Sequence, residues 1–430
     1  MEVRVRFMMV LGATILSFVM ASAVSADVSF PNSEIVLDMM TLSDAVYYLK
    51  NKVSSCNDPQ AENKTLASST REEVLSAHIH DDDSVHQKER IYLRRLQDDN
   101  QQHNNLFDTL LPEGTSCLHY SHDYDLGTQV LVVRSSIHKY VSVVYTGTDD
   151  FTTALMDGEI LMGKFGPTTN TTGDSNRSDF EKLFDQVPED AHVHRGFNSA
   201  VFESNHFTEV LECVTSAKVG GDCDGADKRR SAQVSTELGS STTYQVLTSG
   251  HSLGAADSIL LGAALHLVFP SEHIQSINFG CPKIGNTELV YWLDSLQSVQ
   301  SDKDGSLEVF RFVNKLDLVP RLPDLIFFQH AGHTLQMSIG GEIRAYYNHF
   351  GDETLGYSGV PFGWDAEPYV LFPLAIYAHH HKHYVEYLQD YAPKSNASLK
   401  EQGAFYFVQD FERVENNQGA ETSPTVVESE

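Results

Sequence analysis

The sequence has few basic residues, few cysteines and no long apolar run beyond its first residues. Lys and Arg number 30 against 59 Asp and Glu, which gives a formal net charge of -29 at pH 7. A field of that sign repels nucleic acid and anionic membrane surfaces, so neither is expected as a partner. Five cysteines in 430 residues are too few for a disulfide-built fold. After residue 26, no apolar run is long enough to predict a stable membrane span.

The composition nevertheless indicates a large globular protein, because 41% of its residues are hydrophobic and can form a sizeable core. Residues 1–26 combine Arg4 and Arg6, an apolar stretch at 8–20 and the small-residue end ASAVSA, which predicts a signal peptide and secretion. We expect one α/β domain over 27–411, with a polar insertion at about 57–105. The acidic stretch 412–430 lacks periodicity and predicts a disordered tail.

Two further features agree with the secretory route. Four Asn-x-Ser/Thr sequons lie in polar stretches and are candidates for glycosylation: Asn63, Asn170, Asn176 and Asn396. The cysteines suffice for two disulfides, and we expect the pairs Cys56 with Cys117 and Cys213 with Cys223. Cys281 then remains a buried thiol at the end of a strand.

The stretch 244–261, YQVLTSGHSLGAADSILL, predicts a strand, a sharp turn and a helix. Gly250 and Gly254 bracket the turn, where close packing of strand and helix leaves no room for side chains. Ser252 stands at the tip of the turn and at the N-terminus of the helix. The backbone N–H of Leu253 can face a developing oxyanion there. We therefore interpret Ser252 as a nucleophile.

Other segments predict a sheet of mostly parallel strands. Apolar and β-branched runs at 129–134, 139–145, 274–279 and 307–313 predict strands. Apolar residues at helical spacing in 41–53 predict an amphipathic helix, and a second helix is expected after 194–197. Strands that alternate with helices favour a parallel sheet, whose strand ends bring polar residues to one edge.

The segment 151–165, FTTALMDGEILMGKF, has two interpretations. As a lid, it would hinge at its glycines and open on a lipid surface. As an ordinary element, it would form a helix packed on the core. Both stay open, and the apolar side chains that would form the lid are Phe151, Leu155, Met156, Ile160, Leu161 and Met162.

Four separated segments carry a family resemblance. They are VVYTGT (143–148), VHRGF (193–197), SGHSLG (249–254) with INFGCPKIGN (277–286), and VNKLDLVPRLP (313–323). In order and spacing the chain resembles the fungal-type, or class 3, lipases over most of residues 118–390. The resemblance implies the α/β-hydrolase fold, a mostly parallel central sheet flanked by helices.

The resemblance also implies a Ser, Asp, His triad in that chain order. Ser252 matches the nucleophile and Asp317 the acid. The histidine falls in YAHHHKHYVEYL (377–388), where we predict His383, with His381 as the second choice. The implied oxyanion hole consists of the backbone N–H groups of Leu253 and Thr148.

Two positions depart from the family pattern. Thr146 stands where the family usually has Arg, and Ala255 stands where Gly is common. The change at position 146 concerns an ion pair near the oxyanion hole rather than the triad.

The function implied is that of a secreted serine hydrolase that cleaves carboxylic esters of lipids through an acyl-enzyme. Its partner would be a lipid ester, met at a lipid–water interface, and no metal or cofactor is expected. Two alternatives stay open: a phospholipase or phenolic-acid esterase of the same family, and a non-catalytic binding protein that keeps the fold. Ester hydrolysis rates and active-site labelling distinguish them.

Overall fold

The computed structural model describes the folded core of the chain in separate stretches. These are residues 31–49, 53–56, 106–146, 161–167, 178–203, 206–223, 244–297, 305–314, 316–323, 328–337, 343–346, 378–381, 383–385 and 388. All structural statements below concern these residues.

A central sheet of eight strands organises the fold. Its strands, in chain order, are β1 (Thr115–Asp123), β2 (Thr128–Ser135), β3 (Tyr140–Tyr145), β6 (Gln245–His251), β7 (His273–Phe279), β8 (Ser306–Asn314), β9 (His333–Met337) and β10 (Ile343–Tyr346). In space they lie in this same order. The pairs from β3 to β9 are parallel, whereas β1, β2 and β10 join antiparallel at the two edges.

Helices cover both faces of this sheet. The helices, in chain order, are α1 (Ser33–Leu49), α2 (Leu106–Leu110), α3 (Asp179–Leu183), α4 (Arg195–Phe202), α5 (His206–Ala217), α6 (Leu253–Val268) and α7 (Thr287–Asp294). One hydrophobic cluster joins the sheet to α4, α5, α6 and α7. A second cluster joins its other face to α1 and α2. The mostly parallel sheet with flanking helices confirms the predicted α/β-hydrolase fold class.

The predicted strands are confirmed to within a residue at most ends, because their β-branched runs are buried on both faces. Every residue of β3 is buried, as a strand between two helical layers requires. The sequence analysis did not identify β1, β9 and β10. Their alternation is weak: β1 is mostly half-buried along its length, so no period-2 pattern marks it.

The first helix begins earlier than the sequence pattern indicates. The predicted span was 41–53, whereas α1 runs from Ser33 to Leu49. Leu42, Val46 and Leu49 are buried as expected, but Met39 and Met40 are buried as well. This helix packs directly on the centre of the sheet, and so its apolar surface extends further towards its N-terminus than residues 41–53.

Both expected disulfides are present. Cys56–Cys117 ties the chain after α1 to β1, and Cys213–Cys223 closes a short loop after α5. Cys281 is a buried free thiol. No helix in the described part of the chain is both long and apolar enough to cross a bilayer.

Several predictions lie outside the described residues. They are the signal peptide 1–26, the insertion 57–105, the tail 412–430, the sequons at Asn63, Asn170, Asn176 and Asn396, the oxyanion residue Thr148, and the lid residues Phe151, Leu155, Met156 and Ile160.

The last two lid candidates are described, and neither is helical. Met162 begins a short strand, β4 (Met162–Lys164), which pairs antiparallel with β5 (His192–His194). Leu161 precedes it, is exposed, and accepts a hydrogen bond from the N–H of Arg195. The helical alternative is therefore wrong at this end of the segment, while the lid itself stays a prediction.

Candidate active site

The turn between β6 and α6 holds Ser252 in a strained position. β6 ends at His251 and α6 begins at Leu253, so Ser252 alone makes the turn. Its φ of 60° and ψ of -129° lie in a region that side-chain-bearing residues rarely adopt. A nucleophile elbow requires such a conformation to lift the hydroxyl clear of the backbone. The expected strand, turn and helix are confirmed.

The two flanking glycines make this turn possible. A Cβ at Gly250 would overlap the backbone of Gly254, and a Cβ at Gly254 would overlap the carbonyl groups of Tyr145 and Thr146. The turn therefore packs without any gap between itself and the end of β3. Side chains are excluded by contact, which is the reason the sequence analysis gave for these glycines.

His379 lies between Ser252 and a carboxylate. Its Nε2 is 2.8 Å from Ser252 Oγ, and its Nδ1 is 2.8 Å from Asp317 Oδ2. A carboxylate can only accept, so Nδ1–H donates to Asp317 and Nε2 is left to accept from the serine hydroxyl. This is the tautomer that a general base for Ser252 needs.

Asp317 lies just beyond the end of β8, where its carboxylate accepts three hydrogen bonds. Its Oδ1 accepts from the N–H of Val319 at 2.8 Å, and its Oδ2 accepts from the hydroxyl of Tyr384 at 2.5 Å as well as from His379. Asp317 is only 1% exposed. Burial and the neighbouring Asp317 raise the pKa of Tyr384 well above its usual value, so this hydroxyl stays a donor.

The structure corrects the choice of histidine. The residue between Ser252 and Asp317 is His379, and the predictions of His383 and, as second choice, His381 are wrong. His381 Nε2 instead lies 2.8 Å from Asp44 Oδ1 in α1. The N–H of His383 bonds to the carbonyl of His380.

The sequence could not separate these histidines, since all four belong to the one short run 377–388. What selects His379 is its tertiary position. Glycine 280 also makes room for it, because a Cβ there would lie 3.0 Å from both Asp317 Oδ2 and His379 Cε1. No local pattern in the sequence signals that contact.

Of the two backbone donors expected for the oxyanion hole, one lies within the described residues. The N–H of Leu253 opens α6 beside Ser252, at the positive end of a 16-residue helix. Thr148, the second expected donor, lies outside the described residues. Thr146, which replaces the usual Arg of the family, is buried at the end of β3, and its N–H donates to the carbonyl of Gln129.

Another carboxylate close in sequence does not compete with Asp317. Asp257 lies inside α6, where burial raises the pKa of its carboxyl well above the usual value. Burial therefore disfavours the charged form of Asp257, which is the form that stabilises an imidazolium. Among the described residues, no group of three or more His, Cys, Asp or Glu side chains is arranged to hold a metal ion.

A family model described as lipase (class 3) matches residues 142–327, which include most of β3, the Ser252 turn and Asp317. The matched residues thus contribute Ser252, Leu253 and Asp317 to the site. His379 and helix α1 come from outside them.

Two curated relatives match about half of the chain. Lipases from Rhizopus niveus and Rhizopus oryzae are each 26% identical to it over 211 residues, which is 48% of this chain and 40% of theirs. The chain therefore spans less than half the length of these relatives.

Solved structures also align with parts of the chain, at low identity. A lipase from Rhizopus microsporus var. chinensis is 19% identical, with 63% of this chain and 78% of that one covered and a TM-score of 0.38. A mutant form of MDLA from Penicillium cyclopium is 15% identical, with 82% and 96% covered and a TM-score of 0.44.

Proposed function

We propose that this protein is a secreted serine hydrolase that cleaves carboxylic esters of lipids. The single observation that carries the proposal is the chain of two 2.8 Å hydrogen bonds that joins Ser252 to His379 and His379 to Asp317. Nucleophile, base and orienting acid are within contact distance, and each has the partner its role requires. The match of residues 142–327 to the class 3 lipase family model supports lipid esters as the substrate.

The reaction follows from this geometry in two steps. Ser252 Oγ attacks the ester carbonyl while His379 Nε2 takes its proton, and Asp317 stabilises the imidazolium that forms. The N–H of Leu253, with Thr148 as the expected second donor, holds the oxyanion. His379 then protonates the departing alcohol, and the acyl group stays on Ser252 until water, activated by the same histidine, releases the fatty acid.

Secretion is supported by the covalent chemistry of the chain. The disulfides Cys56–Cys117 and Cys213–Cys223 belong to an oxidising compartment. The predicted signal peptide and sequons agree with it. Detection of the processed, glycosylated protein outside the cells that express it would test this part of the proposal.

Active-site labelling tests the enzymatic proposal. A fluorophosphonate probe should label the purified protein at Ser252, and Ser252→Ala should lose both labelling and ester hydrolysis. Ser136→Ala, an exposed serine in the β2–β3 turn, is the matched control and should keep both. Labelling that persists in Ser252→Ala, or a natural protein without any labelling, would contradict the proposal and favour a binding role.

Substrate comparison then tests the lipid assignment. Emulsified long-chain triacylglycerol should be hydrolysed faster than a soluble short-chain ester. Faster release from phospholipid vesicles would instead point to a phospholipase. Preference for feruloyl esters would point to a phenolic-acid esterase.

A further inference from the structure

The C-terminal half of α1 contacts His251 and His381, which lie next to the catalytic histidine. The ring of Tyr47 stacks on that of His381 with centroids 5.4 Å apart, and its hydroxyl lies 3.2 Å from His251 Nδ1. One turn earlier in the same helix, Asp44 Oδ1 lies 2.8 Å from His381 Nε2. The mechanism above assigns no role to Tyr47 or Asp44.

His251 connects Tyr47 to the backbone of His379. Its ring stacks on the His379 ring at 4.6 Å, and its Nε2 lies 2.9 Å from the carbonyl oxygen of His379. Since a carbonyl only accepts, His251 Nε2–H must donate, and Nδ1 then accepts from the Tyr47 hydroxyl. Burial, followed by the nearby His379 and His381, holds the pKa of His251 well below its usual value, which favours this neutral form.

The segment that carries His379 has unusual anchors. The carbonyl of Ala378 accepts from the side chain of Asn314 at 2.9 Å, and the carbonyl of His379 accepts from His251. Both backbone bonds therefore run to side chains rather than to a neighbouring strand. The position of His379 Nε2 follows from those side chains, and a shift of about 1 Å in a catalytic group can lower a rate by about 100-fold.

We propose that Tyr47 and Asp44 of α1 are positioning residues for His379: Tyr47 orients His251, which holds the His379 carbonyl, and Asp44 holds the next turn through His381. This inference rests on the proposed function, because it assigns α1 to the same site. Helix α1 lies outside the matched residues 142–327. The inference gives it a role in positioning the catalytic histidine, in addition to its packing on the sheet.

A pair of tyrosine substitutions tests the inference. Tyr47→Phe keeps the ring on His381 and removes only the hydroxyl that bonds His251. Tyr140→Phe is the control, because its hydroxyl also bonds α1, at Asp38 Oδ2 and 3.0 Å, but on the far half of the helix from His379. Each variant removes a hydroxyl that forms a hydrogen bond between α1 and the rest of the protein.

We expect Tyr47→Phe to lower kcat about fivefold with KM unchanged, and to slow fluorophosphonate labelling of Ser252 by a similar factor. Tyr140→Phe should lower Tm comparably and leave kcat within about twofold of the natural protein. A merely structural role for Tyr47 would make the two variants alike. Equal kcat values for the two variants would overturn the inference.

Asp44→Asn provides an independent arm, since Asp44 is partly exposed and its replacement is close in shape. We expect kcat to fall about threefold at unchanged KM. Should Tyr47→Phe fail to fold, this variant decides the question, and an unchanged kcat would refute the inference. A natural protein that the probe does not label at all would instead refute the proposed function, and the role of α1 with it.

Discussion

The serine side and the histidine side of the site are held in place by different means. Ser252 is fixed by backbone packing, because the turn around it closes on Gly254 and on the end of β3 without room for a Cβ. His379 is fixed by side-chain hydrogen bonds from Asp317, Asn314 and His251. The position of Ser252 should therefore be sensitive to any added side-chain volume in the turn. The position of His379 should instead be sensitive to the loss of single polar groups.

The largest expected effect is on the histidine side. Asp317→Asn keeps the shape and the acceptor for the N–H of Val319, but it can present an amide to His379 Nδ1 and favour the wrong tautomer. We expect kcat for ester hydrolysis to fall about 10⁴-fold with the Tm nearly unchanged. Asp125→Asn, on an exposed turn, is the control. A loss of less than about tenfold would mean that Asp317 does not orient the base.

On the serine side, the corresponding test adds bulk. Gly254→Val places a branched side chain against the carbonyls of Tyr145 and Thr146 and should lower kcat/KM by at least about 100-fold, together with a lower Tm. Ser116→Val is the matched control, because it places the same branched side chain at an exposed position of β1. If Gly254→Val keeps its activity, steric closure does not define the position of Ser252.

A smaller effect is expected from one hydroxyl. Tyr384→Phe removes a 2.5 Å donor to Asp317 Oδ2 but leaves that oxygen bonded to His379. Since a hydrogen bond to a charged group contributes about 1.5–3 kcal/mol, kcat should fall roughly 10- to 100-fold. Steady-state kinetics beside Tyr124→Phe, whose side chain is exposed, would measure it. Equal activities of Tyr384→Phe and Tyr124→Phe would show that Asp317 Oδ2 needs no donor besides His379.

The smallest effect concerns stability at the far end of α1. Burial raises the pKa of Asp38 to about 6, against the opposing influence of the Tyr140 hydroxyl and His138 and with a small added rise from Glu34. The folded protein therefore binds this proton more tightly than the unfolded chain does. The stability contributed by the protonated Asp38 carboxyl is present below roughly pH 4 and is lost as the pH rises through about 6.

Asp38→Asn keeps an acceptor for Tyr140 and cannot ionise. Relative to the natural protein, its free energy of unfolding should therefore rise by on the order of 2 kcal/mol between pH 4 and pH 7, as measured by urea unfolding. A difference that stays constant over this range would show that Asp38 does not titrate as described.

The sequence predicted the serine side more fully than the histidine side, and for a physical reason. A strand, a turn that excludes Cβ atoms and a helix are local features, so residues 244–261 carry their own geometry. Asp317 was predicted through the family resemblance of the segment 313–323, which matches the position of the acid. His379 depends on contacts with residues 62 and 127 positions away in the chain, and no pattern within 377–388 distinguishes one histidine from its neighbours.

The same contrast applies to the sheet. Strands buried on both faces, such as β3, have continuous β-branched runs that can be recognised. Edge strands β1 and β10 and the short β9 lack such runs, because their neighbours rather than their own sequence determine their pairing. The contribution of α1 to the site was also not foreseen, since amphipathic periodicity indicates a buried face but not what that face touches.

The most direct test of the account compares two histidines in one measurement, the rate constant for labelling Ser252 by a fluorophosphonate probe. His379→Gln should slow labelling by more than about 100-fold, whereas His383→Gln should leave the rate within about threefold of the natural protein. The opposite pattern, with labelling lost in His383→Gln and kept in His379→Gln, would contradict the assignment of His379 as the base that serves Ser252.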